Sequence, residues 1–228
     1  MTSQTNTASD TIKNRISTRA FLDKPVSDDL VRDILDVARW APSGGNVQPW
    51  RVHVLTGAAR QRMSDTVKSA IAANPFADES EIAIYPPKLG EPYRTRRYAL
   101  GEAMYELLGI PREDKAARVQ QLLENYNFFG APVGLFFSIG REFDKGGWAH
   151  LGMFMQSVAL VAEEAGLATC MQEAWAARAK TVSEVLGLGE NEQLYCGMAL
   201  GYADTSAPVN RLKAERAGLD EFVTFHAE

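Results

Sequence analysis

The chain has 228 residues, room for one domain with a substantial core, and its 46% hydrophobic and 23% charged residues are ordinary for a globular protein. Lys and Arg number 24 against 29 Asp and Glu, a formal net charge of -5 that argues against a nucleic-acid partner. The only cysteines, Cys170 and Cys196, have no C-x-x-C spacing and read as reduced thiols of a cytoplasmic protein, not as a disulfide framework.

Residues 1–10 are polar, without the basic start and apolar run of a signal peptide, and read as a disordered leader before a single domain over 11–228. Leu30, Ile34 and Ala38 recur at helical spacing in 28–40, with Val31 and Leu35 beside them, Ser27 as N-cap and two aspartates at the positive end of the helix dipole. In "RVHVLT" (51–56), Val52 and Val54 alternate with Arg51 and His53 as in a half-buried strand, and 58–73 carries Met63, Val67 and Ile71 on one helical face. The segment 74–97 holds four prolines and no sustained period, the mark of a functional lid or mobile loop. Helices are expected from Tyr98 to Leu108 and from Glu113 to Glu124. "PVGLFFSI" (132–139) is a continuous apolar run and predicts a central strand covered on both faces.

The longest apolar stretch, 148–166, contains His150, Gln156, Glu163 and Glu164, so it is a core helix closed by Gly166 and not a membrane span. "LATCMQ" starts as a strand and runs into a polar stretch; Thr181 and Glu184 stand at capping-box spacing; "QLYCGMAL" (193–200) is a last buried strand. The tail 201–228 has few periodic apolar positions and reads as an extended arm. Helices and short strands around a mainly helical core make the class α+β.

Most catalytic arrangements are missing. His53, His150 and His226 have no metal-ligand spacing with a Cys or carboxylate, and the first two read as structural residues. No G-x-S-x-G, G-x-G-x-x-G or P-loop pattern occurs. Two stretches remain. In "RISTRAF" (15–21), an extended backbone turns Arg15, Ser17 and Arg19 to one side, and two guanidiniums with a hydroxyl suit a phosphate through charge-assisted hydrogen bonds; a solvated basic strand is the bland alternative. In "APSGGNVQPW" (41–50), a Gly-Gly turn exposes main-chain N–H groups between stiff prolines, against which a flat ligand can lie.

These two stretches in this order, with "GLATCMQEAW" after the core helix and "GYADTSAPVNRLKAERAGLDEFV" at the end, resemble the FMN-dependent nitroreductase family over nearly the whole chain. The resemblance implies a nitroreductase-like fold with a central, mostly antiparallel sheet flanked by helices. It implies an intertwined homodimer that exchanges C-terminal arms (201–228). Arg15, Ile16, Ser17 and Arg19 would hold the FMN phosphate and pyrimidine edge. Pro42, Ser43, Gly44 and Asn46 would reach the flavin of the partner subunit, and main-chain N–H groups at Met171, Gln172 and Glu173 would approach flavin N5. A C-terminal cation would add a phosphate ligand, with Arg216 preferred over Arg211 and Lys213, because this tail departs from the Lys-x-Arg spacing of some members.

The same resemblance implies ping-pong reduction of small nitroaromatic compounds with NADPH or NADH as donor, and no catalytic side chain. Reductive dehalogenation, quinone or enoate reduction and simple flavin storage use the same scaffold and stay open. Tyr85, Tyr93, Phe128 and Phe129 are candidates to line the substrate space, with packing as the alternative for each. Neither a nucleic acid nor a membrane is expected as a partner.

Overall fold

The computed structural model describes residues 7–76 and 78–227. In chain order it contains α1 (Ala8–Asn14), α2 (Asp28–Ala38), β1 (Trp50–Thr56), α3 (Gly57–Ala73), α4 (Tyr93–Leu107), α5 (Lys115–Leu123), β2 (Val133–Gly140), α6 (Lys145–Glu164), β3 (Ala168–Gln172), α7 (Ala179–Leu186) and β4 (Glu192–Gly201). The strands form one antiparallel sheet in the order β1-β2-β4-β3.

The continuous apolar run of β2 is explained by cover on both faces. Val133, Leu135, Phe137 and Ile139 point to a core built with α2 and α6, and Phe136 points to a second core built with α3 and α7. Strand β4 carries a bulge, because Phe137 pairs with Cys196 but Ser138 pairs with Leu194, leaving Tyr195 as the extra residue. The bulge reverses the alternation, so Cys196 and Leu194 enter opposite cores although they are two residues apart.

Helix α6 spans the first core, with Trp50 stacked on its Phe154 at 4.9 Å. It ends in a Schellman motif: Gly166 takes φ 75°, its N–H donates to Glu163 O, and the N–H of Leu167 donates to Ala162 O at 2.8 Å. Ser27 caps α2 by accepting from the N–H of Leu30. Among the described residues no helix is long and apolar enough to cross a membrane.

Several sequence expectations need correction. The reading of 1–10 as leader fails at its end, because α1 begins at Ala8, where Thr7 and Asp10 cap one another and buried Thr11 anchors the helix; residues 1–6 lie outside the described residues. Helix α4 starts at Tyr93, five residues before the expected Tyr98, so 93–97 is not irregular. Glu91 makes that start by accepting from Arg94 Nε and the N–H of Thr95. Thr181 and Glu184 form no capping box. The Thr181 N–H and hydroxyl both donate to the Glu79 carboxylate, at 2.7 and 3.0 Å, so a distant residue caps α7. The stretch after β3 is no polar run-out but a short 3-10 turn that buries Trp175. Val54 is exposed, because the first core covers Val52 on β1 but does not reach Val54.

Candidate functional site

The chain leaves α1 at Arg15 and runs extended along the open edge of β3. Ser17 bridges Thr169 in parallel, and the N–H of Thr18 donates to Thr169 O at 3.0 Å. Thr18 turns inward and is buried, so Arg15, Ser17 and Arg19 turn outward together, as the alternation predicts. They line a cleft of about 340 Å³ with Ile16, Lys13 of α1, Leu100 of α4, and Lys213 and Arg216 of the C-terminal arm. Five cations converge there and no carboxylate lines the cleft among the described residues.

Two features mark the cleft as built for an anion. Arg15 Nε is buried without a partner, a costly state for a charged donor that a ligand oxygen would relieve. The segment is also clamped from behind: Asn210 Oδ1 accepts from the N–H of Arg19 at 2.8 Å, while Asn210 Nδ2 donates to Ala20 O and Asp204 O. Arg19 is further oriented by donating to Ser17 O. Nearby, burial pushes the Glu163 carboxyl up against the pull of Arg15. Burial also pushes the Cys170 thiol up to about 11, opposed by Arg19 and Arg15, which leaves it protonated and inert.

The cleft opens into a larger cavity of about 650 Å³, with which it shares Leu100, Leu212, Lys213, Ala214 and Arg216. Tyr85, Leu89 and Tyr93 form its other wall. An Arg96–Glu221 ion pair of 2.6 Å ties α4 to the arm beside it. The two tyrosine candidates therefore stand where a ring could lie next to the anion cleft.

Phe128 and Phe129 do not. Both are buried in the second core, where Phe128 sits 4.7 Å from the Trp175 ring and covers Gly134. Neither lines the cleft or the larger cavity, so the expectation that they face the substrate space is not met; both hold left-handed backbone, φ 51° and 52°. Arg211, the last residue of a short 3-10 turn, does not line the cleft either, whereas Arg216 and Lys213 do.

The corner is a 3-10 turn over Gly44–Asn46, with positive φ at Gly45, Asn46 and Gln48. Ser43 Oγ accepts from the N–H of Gln48, and the N–H of Gly44 donates to His150 Nε2 at 3.0 Å. Pro42, Ser43, Gly44 and Asn46 thus sit near the start of α6, whereas Arg15 acts on Glu163 at its end. Thirteen residues of helix separate these points by about 20 Å. Within one chain the corner and the cleft do not meet.

Met171, Gln172 and Glu173 lie at the end of β3 and also stay off the cleft lining. The Gln172 side chain is turned into the core, donating to Asn125 O and accepting from Trp175 Nε1, and Glu173 accepts from the Tyr195 hydroxyl. For Gln172 and Glu173 the side chains are thus engaged within the chain. His53 is structural, as expected: its Nε2 lies 2.9 Å from Glu192, which also takes Arg51 and the buried Ser138 hydroxyl. No group of metal-ligating residues occurs among the described residues.

Sequence reasoning passed over Lys13, Leu100 and Asn210. Lys13 stood beside the supposed leader, and nothing in the sequence marks Asn210 as a clamp on a segment 190 residues away.

The family model described as the Nitroreductase family matches residues 12–202. Among similar proteins, a nitrobenzene nitroreductase of Ectopseudomonas oleovorans is 38% identical over 216 residues, 95% of each chain. A 4-nitrobenzoate reductase of Pseudomonas putida is 40% identical over 215 residues, 94% of this chain and 93% of that one. The crystal structure of the FMN and NADPH-dependent nitroreductase NfnB from Sphigopyxis sp. strain HMH superposes with a TM-score of 0.95 at 44% identity, covering 98% of this chain and all of that one.

Proposed function

The chain belongs to the nitroreductase family, and on that premise we propose that it is an FMN-dependent NAD(P)H oxidoreductase that reduces nitroaromatic compounds as a cytoplasmic homodimer. The observation that carries this reading is the five-cation cleft, with its orphaned Arg15 Nε, opening into a tyrosine-walled cavity.

The residues present fit FMN. Arg15, Ser17, Arg19, Lys213 and Arg216 would hold its phosphate by charge-assisted hydrogen bonds. When bound, FMN supplies the two-electron relay between a reduced nicotinamide and the nitro group. Tyr85 and Tyr93 offer faces for an aromatic substrate to stack on, and Leu89, Leu100 and Leu212 keep water from that space. Among the described residues the one carboxylate on the larger cavity is Glu215, and in this reading the protein's part is to bind, orient and dehydrate.

A homodimer is supported by the separation of corner and cleft along α6. A second chain packed with α6 antiparallel would bring its Ser43, Gly44 and Asn46 to the cleft of the first. The arm supports the same reading, since Leu219, Phe222 and Phe225 are exposed on it and lack cover. A cytoplasmic setting is supported by two free, buried thiols. The stretch 74–92 is proposed as the substrate lid, pinned at its start by Glu79 on α7 and by Glu81 on Arg141 at 2.8 Å.

Anaerobic stopped-flow tests the function. Purified protein should carry FMN, be reduced by NADPH or NADH, and be reoxidised by nitroarenes faster than by quinones or halophenols. Reoxidation by a halophenol or quinone but not by nitroarenes would overturn the reading.

A further inference from the structure

The larger cavity is lined by apolar residues and by four cations, Arg96, Arg97, Lys213 and Arg216, against one acid, Glu215. Three of the four cations have other work. Lys213 and Arg216 also line the phosphate cleft, and Arg96 is held by Glu221. Arg97 differs. Its guanidinium lies 4.4 Å from the centre of the Tyr85 ring, and among the described residues no carboxylate pairs with it. The ring fixes the guanidinium but neutralises none of its charge.

Granted the nitroaromatic reading above, we propose that this cavity selects nitroarenes that bear an acidic group, and that Arg97 is the specificity-determining residue that holds the group. A guanidinium presents a planar fork of donors that matches a carboxylate. A neutral nitroarene stacked on Tyr85 would cover Arg97 without giving it an acceptor, whereas a carboxylated one would pair with it. Selection follows from that difference.

The test compares 4-nitrobenzoate with its methyl ester, a neutral probe with the same ring and nitro group, in holoenzyme of the wild type, Arg97→Gln and Arg97→Lys. NADPH and NADH are each used as donor, and the dissociation constant of benzoate is measured by calorimetry. The expected result is that the ratio of kcat/KM for acid over ester falls roughly ten-fold in Arg97→Gln, the scale of one lost charged hydrogen bond. Benzoate binding should weaken in parallel, and Arg97→Lys should recover part of both. Equal losses for acid and ester, or an unchanged ratio with active enzyme, would overturn the assignment and leave nitroreduction standing. A loss confined to NADPH would also overturn it, by giving Arg97 to the donor's extra phosphate. Absence of turnover with any nitroarene in FMN-loaded wild type would instead remove the underlying reading.

Discussion

Gly44 and His150 are joined by a hydrogen bond of 3.0 Å from a main-chain N–H to a ring nitrogen, which fastens the glycine corner to the start of α6. Since Nε2 accepts, the neutral ring carries its proton on Nδ1, and Nδ1 is buried without a partner. A Cβ on Gly44 would stand 3.2 Å from the His150 ring, so the two are closely packed. The corner needs such a fastening because Asn46 and Gln48 hold left-handed backbone that only surrounding contacts maintain.

His150→Phe keeps the ring's bulk and removes the acceptor. Stability should fall by about 1 kcal/mol, read from the urea midpoint, the scale of one hydrogen bond. The dissociation constant for FMN should rise with it if the corner serves the partner's site, as proposed above. Normal FMN affinity in this variant would separate the corner from the flavin.

Arg15→Ala and Arg19→Ala should each weaken FMN binding by about 1.5–3 kcal/mol, measured from flavin fluorescence on titration. The two should differ without ligand. Arg15 carries an unpartnered buried Nε, so its removal should leave the apoprotein's melting temperature unchanged or raised. Arg19 donates to Ser17 O, so its removal should cost the apoprotein a little.

The arm packs on its own chain and, in the proposed dimer, also on the partner, and truncation can separate the two roles. Val209, Asn210 and Leu212 pack back on their own chain, and Asn210 clamps the segment that carries Arg19. Leu219, Phe222 and Phe225 are exposed, at 58, 69 and 81%. A chain ending at Gly218 should keep its fold but lose dimer affinity, seen by sedimentation, and lose FMN affinity with it through mass action. A tight dimer from that shortened chain would show that the last ten residues do not embrace a partner.

How far the sequence revealed the site depended on whether the signal was local. The alternation of Arg15, Ser17 and Arg19 survives because one edge pairing with Thr169 is enough to hold it. The apolar run of β2 could only be a covered strand. Phe128 and Phe129 misled, since two aromatics before a glycine do not say which way they turn, and their positive φ has no sequence mark. The start of helix α4 is hard to read because prolines surround the Glu91 signal. Arg97 was invisible, as its meaning lies in what Tyr85 and the arm bring to it from elsewhere in the chain.

Acid should weaken the fold through Glu192. Burial alone would raise its carboxyl, but hydrogen bonds from Ser138, His53 and Arg51 outweigh burial and hold it below the ordinary carboxylate range. A group lowered in this way stabilises the fold above its unfolded pKa, about 4.3 for Glu, and loses that stability as pH falls through the folded value. Glu192→Gln should therefore be less stable than wild type near pH 7, with the two converging as pH drops below about 4. Parallel stability curves across that range would remove Glu192 as a source of the acid limb.

Phe128 and Tyr85 should behave as opposites. The Phe128 ring fills the space above Gly134, meets Trp175 at 4.7 Å and Phe136 at 5.7 Å, and is fully buried. Phe128→Ala should cost about 3–5 kcal/mol, the range for emptying an aromatic core site. Gly134→Ala should cost about 1–3 kcal/mol from the other side, because its new methyl meets a ring backed by Trp175 that has nowhere to go. Neither change should alter the preference among nitroarenes in the protein that remains folded. Tyr85 is half exposed on the cavity wall. Tyr85→Ala should leave the melting temperature nearly unchanged while raising KM for a nitroarene, as stacking contributes on the order of 1 kcal/mol. Thermal melts paired with KM values for three nitroarenes decide the matter. A selectivity change in Phe128→Ala with little loss of stability would return that residue to the substrate site.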